Sequence, residues 1–72
     1  MKEAILYLLK LNDITQKDLA DVLGITYHTL NIKINGHKDF TQSEIMIIKQ
    51  FFRLSPEQLC YIFFTYDEDR EE

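Results

Sequence analysis

The chain has 72 residues, of which 46% are hydrophobic, and it carries a formal net charge of −4. This length allows one domain and excludes two, the single Cys60 excludes an internal disulfide, and Cys60, His28 and His37 lack the paired short spacings of a zinc site. No apolar stretch approaches the roughly 20 residues of a membrane span, and the N-terminus lacks a signal-peptide pattern, so we expect a cytoplasmic protein that is not bound to a membrane. We also expect it to need neither a metal ion nor a cofactor.

The first half of the chain predicts three helices. Residues 2–11 repeat apolar side chains at the three-four spacing of a buried helical face. A second helix begins after Thr15, a typical N-cap residue, and ends at Gly24, because glycine readily adopts the left-handed conformation of a helix C-terminus. A third helix begins after Thr26 and runs to about Asn35, where another glycine follows.

The second half of the chain predicts two more helices. Thr41 and Glu44 have the spacing of a capping box, which predicts a fourth helix that ends near Phe52. Ser55 is followed by a proline, which is favoured at the first helical position, so a fifth helix begins there and ends near Thr65.

No segment alternates apolar and polar residues in the manner of a strand, so the predicted fold is all-α, with five helices in one compact domain over residues 1–66. Acidic and basic side chains balance within that domain. The acidic excess lies entirely in residues 67–72, which read DEDREE and contain no apolar residue. We expect this tail to be disordered.

Residues 15–36 have the pattern of a helix-turn-helix. Ala20 supplies a small side chain where the second and third helices cross, and Gly24 allows the positive φ of the turn between them. With these positions in register, the segment resembles the helix-turn-helix of the lambda-repressor-like, Cro/C1-type regulators. The resemblance extends over about residues 3–64, which look like short Cro-position regulators of temperate phages from Gram-positive bacteria.

The resemblance implies that the third helix enters the major groove of DNA. The side chains implied to contact the DNA lie on this helix and beside it: Tyr27, His28 and Asn31 towards the bases, Gln16 and Thr26 at the phosphates, and Lys33 and Lys38 at the DNA backbone. Asn31 is the best base reader, because a carboxamide can pair with the N6 and N7 atoms of adenine. Lys33 stands where the family usually has an apolar residue, so either the helix is rotated towards Ile34 or the lysine side chain snorkels to the surface.

The fourth helix carries more apolar side chains than one core requires. Met46, Ile47 and Phe51 lie opposite a face that is already apolar. These residues either fill the core more completely or form a dimer interface that involves the fourth and fifth helices, and we favour the interface.

Two functions are compatible with this pattern. The first is a phage or prophage transcriptional regulator that binds operator DNA as a homodimer in the cytoplasm of a bacterial host. The alternative is an anti-repressor of the same fold, which binds the DNA-binding domain of a partner repressor through Tyr27, His28, Asn31 and Ile32. The domain is close to neutral and the tail is acidic, so this alternative is favoured more for this chain than it would be for a basic relative.

An enzymatic function is not predicted. The sequence has neither a glycine-rich phosphate loop nor paired carboxylates on an apolar face. Cys60 is predicted to lie on a buried helix, where a thiol is unreactive.

Overall fold

In a computed structural model of the chain, which describes residues 1–64, the described residues form helices and no strand, so the predicted all-α fold is confirmed. The elements are α1 (Lys2–Leu11), α2 (Gln16–Leu23), α3 (Tyr27–Ile34), α4 (Gln42–Phe52), α5 (Pro56–Leu59) and a π-helix (Cys60–Phe64). The predicted tail 67–72, the domain boundary at residue 66 and the helix end near Thr65 lie outside the described residues.

The helix starts follow the predicted caps. Thr15 and Thr41 each accept a hydrogen bond from the backbone N–H three positions later and close a full capping box, and Ser55 does the same at α5. These caps satisfy backbone donors that have no partner inside the helix. Gly24 ends α2 with a φ of 74°, a left-handed conformation in which a residue with a Cβ atom is strained.

The end of the fifth helix departs from the prediction of one α-helix. Only four residues are α-helical, and the chain continues as the π-helix. Ile62 is buried and Phe63 packs edge-on against Phe40, with ring centroids 5.5 Å apart. Cys60 is exposed, so the prediction that it is buried is wrong. Leu59 and Ile62 take the inward positions, which turns the intervening thiol outward.

One apolar core joins α1, α2, α3, α4 and the π-helix, and Leu59 of α5 packs against it. Its buried members are Ile5, Leu9, Leu19, Ala20, Leu23, Leu30, Ile34, Ile48, Leu54 and Ile62. Ala20 is almost fully buried, as expected of the small residue at the crossing of α2 and α3. The core therefore holds the inward side of α3 in place and leaves the opposite side of this helix facing solvent.

Candidate nucleic-acid interface

The outward surface of α3 begins at its first turn. Thr26 caps this turn, because its Oγ1 accepts a hydrogen bond from the backbone N–H of Thr29 at 3.0 Å. Tyr27 and His28 follow the cap and are both exposed, Tyr27 to 52%. The N-terminal end of a helix carries a partial positive charge and outward N–H groups, which favours the approach of a phosphate.

The Asn31 side chain is partly buried and is held by a neighbour one turn later. Its Oδ1 accepts a hydrogen bond of 3.2 Å from the Nδ2 of Asn35, and the same nitrogen donates to the Asn31 carbonyl at 2.8 Å. A carboxamide oxygen has two lone pairs, so Oδ1 still has the capacity to accept a second bond from a base. Sequence reasoning treated Asn35 only as a helix end and missed this contact.

Gln16 occupies the first position of α2, where the resemblance places a phosphate contact. The side chain is partly buried, and its Nε2 has no hydrogen-bond partner among the described residues. A buried amide without a partner costs free energy, so this group gains from any partner that water or a ligand provides.

Lys33 does not contribute to the outward surface. It is only 5% exposed, and its Nζ donates to both carboxylate oxygens of Glu44, at 2.6 Å and 2.7 Å. The Glu44 Oε1 also accepts from the backbone N–H of Thr41 at 2.9 Å. The prediction that Lys33 contacts the DNA backbone is therefore wrong, because its ammonium group is directed inward to α4.

The Glu44 carboxyl is the acidic member of a buried ion pair with Lys33. Burial alone would raise the pKa of the Glu44 carboxyl, but the hydrogen bonds from Lys33 and from the Thr41 amide outweigh it and hold this pKa below its ordinary value. The Glu44 carboxyl is therefore charged at neutral pH, and it forms an ion pair with Lys33 inside the fold.

The loop after α3 positions Lys38. Gly36 has a φ of 85°, and the N–H groups of Gly36 and His37 bond back to the carbonyls of Lys33 and Ile32, which closes a Schellman motif. Lys38 is exposed two positions after Gly36. This position is consistent with a phosphate contact.

Lys17 is a further exposed cation beside the candidate site, and the sequence prediction did not include it. It follows Gln16 directly in the first turn of α2. Exposed acids lie nearby at Asp18 and Asp21. A hydrogen bond from the Thr15 backbone N–H lowers the pKa of Asp18, so this carboxylate stays charged and offsets the positive charge of Lys17.

The described residues contain no cluster of three or more His, Cys, Asp or Glu side chains suited to a metal ion. None of the helices within residues 1–64 has the length and apolar character that a membrane crossing requires.

The comparison with known families identifies the domain. A model of the Cro/C1-type helix-turn-helix DNA-binding domain matches residues 4–64, which include α1 from its third residue onward, α2 to α5 and the π-helix. No curated protein and no solved structure matches the chain. The matched region covers most of the sequence, so the chain belongs to the Cro/C1-type helix-turn-helix DNA-binding domain family.

Proposed function

We propose that this protein is a phage or prophage transcriptional regulator that binds operator DNA as a homodimer and places α3 in the major groove. The observation that carries this proposal is the outward turn of α3, which presents Tyr27, His28 and the anchored carboxamide of Asn31. The buried inward side of the same helix makes that surface rigid.

Each side chain of this surface has a distinct role. Asn31 reads adenine through its carboxamide, and Tyr27 and His28 contact neighbouring base edges. Gln16 and the capped turn at Thr26 bind phosphates and fix the register of the helix on the duplex.

Electrostatics limit the affinity for DNA. With Lys33 neutralised by Glu44, Lys38 is the remaining lysine of the predicted contact set. Few phosphate contacts give a weak dependence of affinity on salt, so binding relies more on base contacts than in a strongly basic relative.

An anti-repressor remains the second candidate because of two apolar features of α3. The Tyr27 side chain is half exposed, and the Ile32 side chain is only partly buried. Aromatic and aliphatic side chains of this kind are common anchors in protein interfaces. In this alternative, the surface that would otherwise meet DNA binds the DNA-binding domain of a repressor.

Substitution of single side chains separates the two candidates. DNA selected by the protein from random duplexes serves as the operator probe, and Asn31→Ala should weaken binding to it by about 1–3 kcal/mol and relax the preference at one base pair. Lys38→Ala should weaken binding to all DNA and lower the salt slope by about one, whereas Lys2→Ala, a control on α1, should change neither.

These variants, together with Tyr27→Ala and Ile32→Ala, are titrated against the DNA-binding domain of the partner repressor that the second candidate requires. Tight binding to that domain, lost in Tyr27→Ala and Ile32→Ala, together with no sequence preference on DNA, would replace the first candidate with the second.

A further inference from the structure

An apolar groove lies on a part of the molecule that the candidate DNA interface does not use. Its volume is about 560 Å³, and it runs between α1 and the segment formed by α5 and the π-helix. Its apolar lining includes Ala4, Tyr7, Leu8, Leu11, Leu54 and Tyr61. No residue of α2 or α3 lines it, so an occupant would leave the helix-turn-helix uncovered.

The groove has large exposed apolar side chains on both walls. Tyr7 is 65% exposed, Leu11 is 66% exposed and Tyr61 is 69% exposed. Three such side chains around one concave surface form a patch of the kind that marks a protein interface. Met46 and Phe51, the exposed apolar pair on α4, are 45% exposed and line no part of this groove.

The charges on α1 indicate which partner fits the groove. Glu3 and Lys10 are seven positions apart, which places them within about 20° of each other around a helix of 3.6 residues per turn. Both are exposed, and neither forms an ion pair within residues 1–64. They therefore lie along the same edge of the apolar stripe, one near each end of α1, with Tyr7 between them.

A second copy of α1 complements this pattern in one orientation. When two antiparallel copies are related by a two-fold axis at Tyr7, the same edges of the helices meet. Glu3 of one copy then lies within about 1.5 Å, along the helix axis, of Lys10 of the other. Two such pairs form per dimer. In a parallel pairing with a two-fold axis along the helices, opposite edges of the two helices meet, so the edge that carries Glu3 and Lys10 faces away from its own copy and no Glu3–Lys10 pair forms.

We propose that the groove between α1 and α5 is the homodimer interface, occupied by α1 of a second copy in antiparallel orientation. Leu11 of each copy enters the groove of the other, and the Glu3–Lys10 pairs close the two ends. This inference rests on the proposed function and deepens it, because it supplies the surface of the homodimer. The sequence predicts an interface on the fourth and fifth helices, and here α1 takes the place of α4.

Sedimentation equilibrium on the full chain without DNA tests the position of the interface. Wild type should dimerise, and Leu11→Glu should raise the dimer dissociation constant at least about 100-fold, because it places a charge in each apolar groove. Phe51→Glu is the matched control, since it introduces the same charge at an exposed apolar position on α4 and should leave the constant unchanged. Far-UV circular dichroism verifies that both variants are folded.

Charge reversal tests the orientation. Glu3→Lys and Lys10→Glu should each raise the dissociation constant about tenfold, because each creates two like-charge contacts, and the double variant should restore dimerisation. Three results would overturn the proposal. The wild-type chain could be monomeric up to millimolar concentration, or Phe51→Glu could raise the dissociation constant while Leu11→Glu does not. The double variant could also dimerise more weakly than both single variants. DNA binding is measured separately, so a dimer that ignores DNA refutes only the proposed function.

Discussion

The inward side of α3 meets two neighbours through different chemistry. Towards α2 the contact is apolar, with Leu19, Ala20 and Leu30 all almost fully buried. Towards α4 the contact includes an ion pair, Lys33 to Glu44, with both side chains withdrawn from solvent. The apolar junction, between α3 and α2, stabilises the fold because it removes apolar surface from water. At the ionic junction, between α3 and α4, the cost of desolvating two charges offsets most of their attraction.

The comparison predicts that the ionic junction tolerates the loss of both charges and not the loss of one. Lys33→Ala should lower the free energy of unfolding by about 3–5 kcal/mol, the largest effect expected here, because it leaves the Glu44 carboxylate buried without its partner. Urea denaturation followed by circular dichroism measures this loss.

The matched control removes both charges and keeps the shape of the junction. In Lys33→Met/Glu44→Gln, the Gln side-chain oxygen can still accept from the Thr41 amide, so the cap of α4 is preserved. Its stability should lie within about 1.5 kcal/mol of wild type. A double variant as unstable as Lys33→Ala would show that the pair contributes net stability.

A larger side chain at the crossing of α2 and α3 tests the apolar junction. Ala20→Leu should lower the free energy of unfolding by about 1–3 kcal/mol, because the extra methylene groups have no space where α2 crosses α3. Asp21→Leu inserts the same side chain at the next, exposed position and should change stability by no more than about 0.5 kcal/mol. Equal melting temperatures for wild type and Ala20→Leu would contradict a close crossing at this residue.

The elements that sequence reasoning predicted correctly are those set by short spacing. The caps at Thr15, Thr26 and Thr41 and the left-handed turn at Gly24 depend on residues within one helical turn. The buried position of Ala20 follows from the helix-turn-helix pattern itself. Local backbone requirements of this kind are visible in the order of residues alone.

The features that were missed depend on contacts across the chain. Lys33 was assigned to the surface because its spacing gave no indication of Glu44, eleven residues later on another helix. The π-helix at Cys60–Phe64 arises where Ile62 and Phe63 pack against the core, and helical periodicity does not anticipate such a change. The Asn31–Asn35 bond was missed although its four-residue spacing was available as a signal.

The smallest expected effect concerns acid stability at the ionic junction. The pKa of Glu44 in the folded protein is below its ordinary value, so its contribution is fully present above the pKa of an unfolded glutamate, about 4.3, and is lost as the pH falls through the lowered pKa. Wild type should therefore lose stability relative to Lys33→Met/Glu44→Gln below this pH, by at most about 1.4 kcal/mol per pH unit. Asp18 titrates in both proteins, so its contribution cancels in the difference. Urea denaturation of the two proteins between neutral and acid pH measures that difference, and parallel curves would show that Glu44 titrates normally in the folded state.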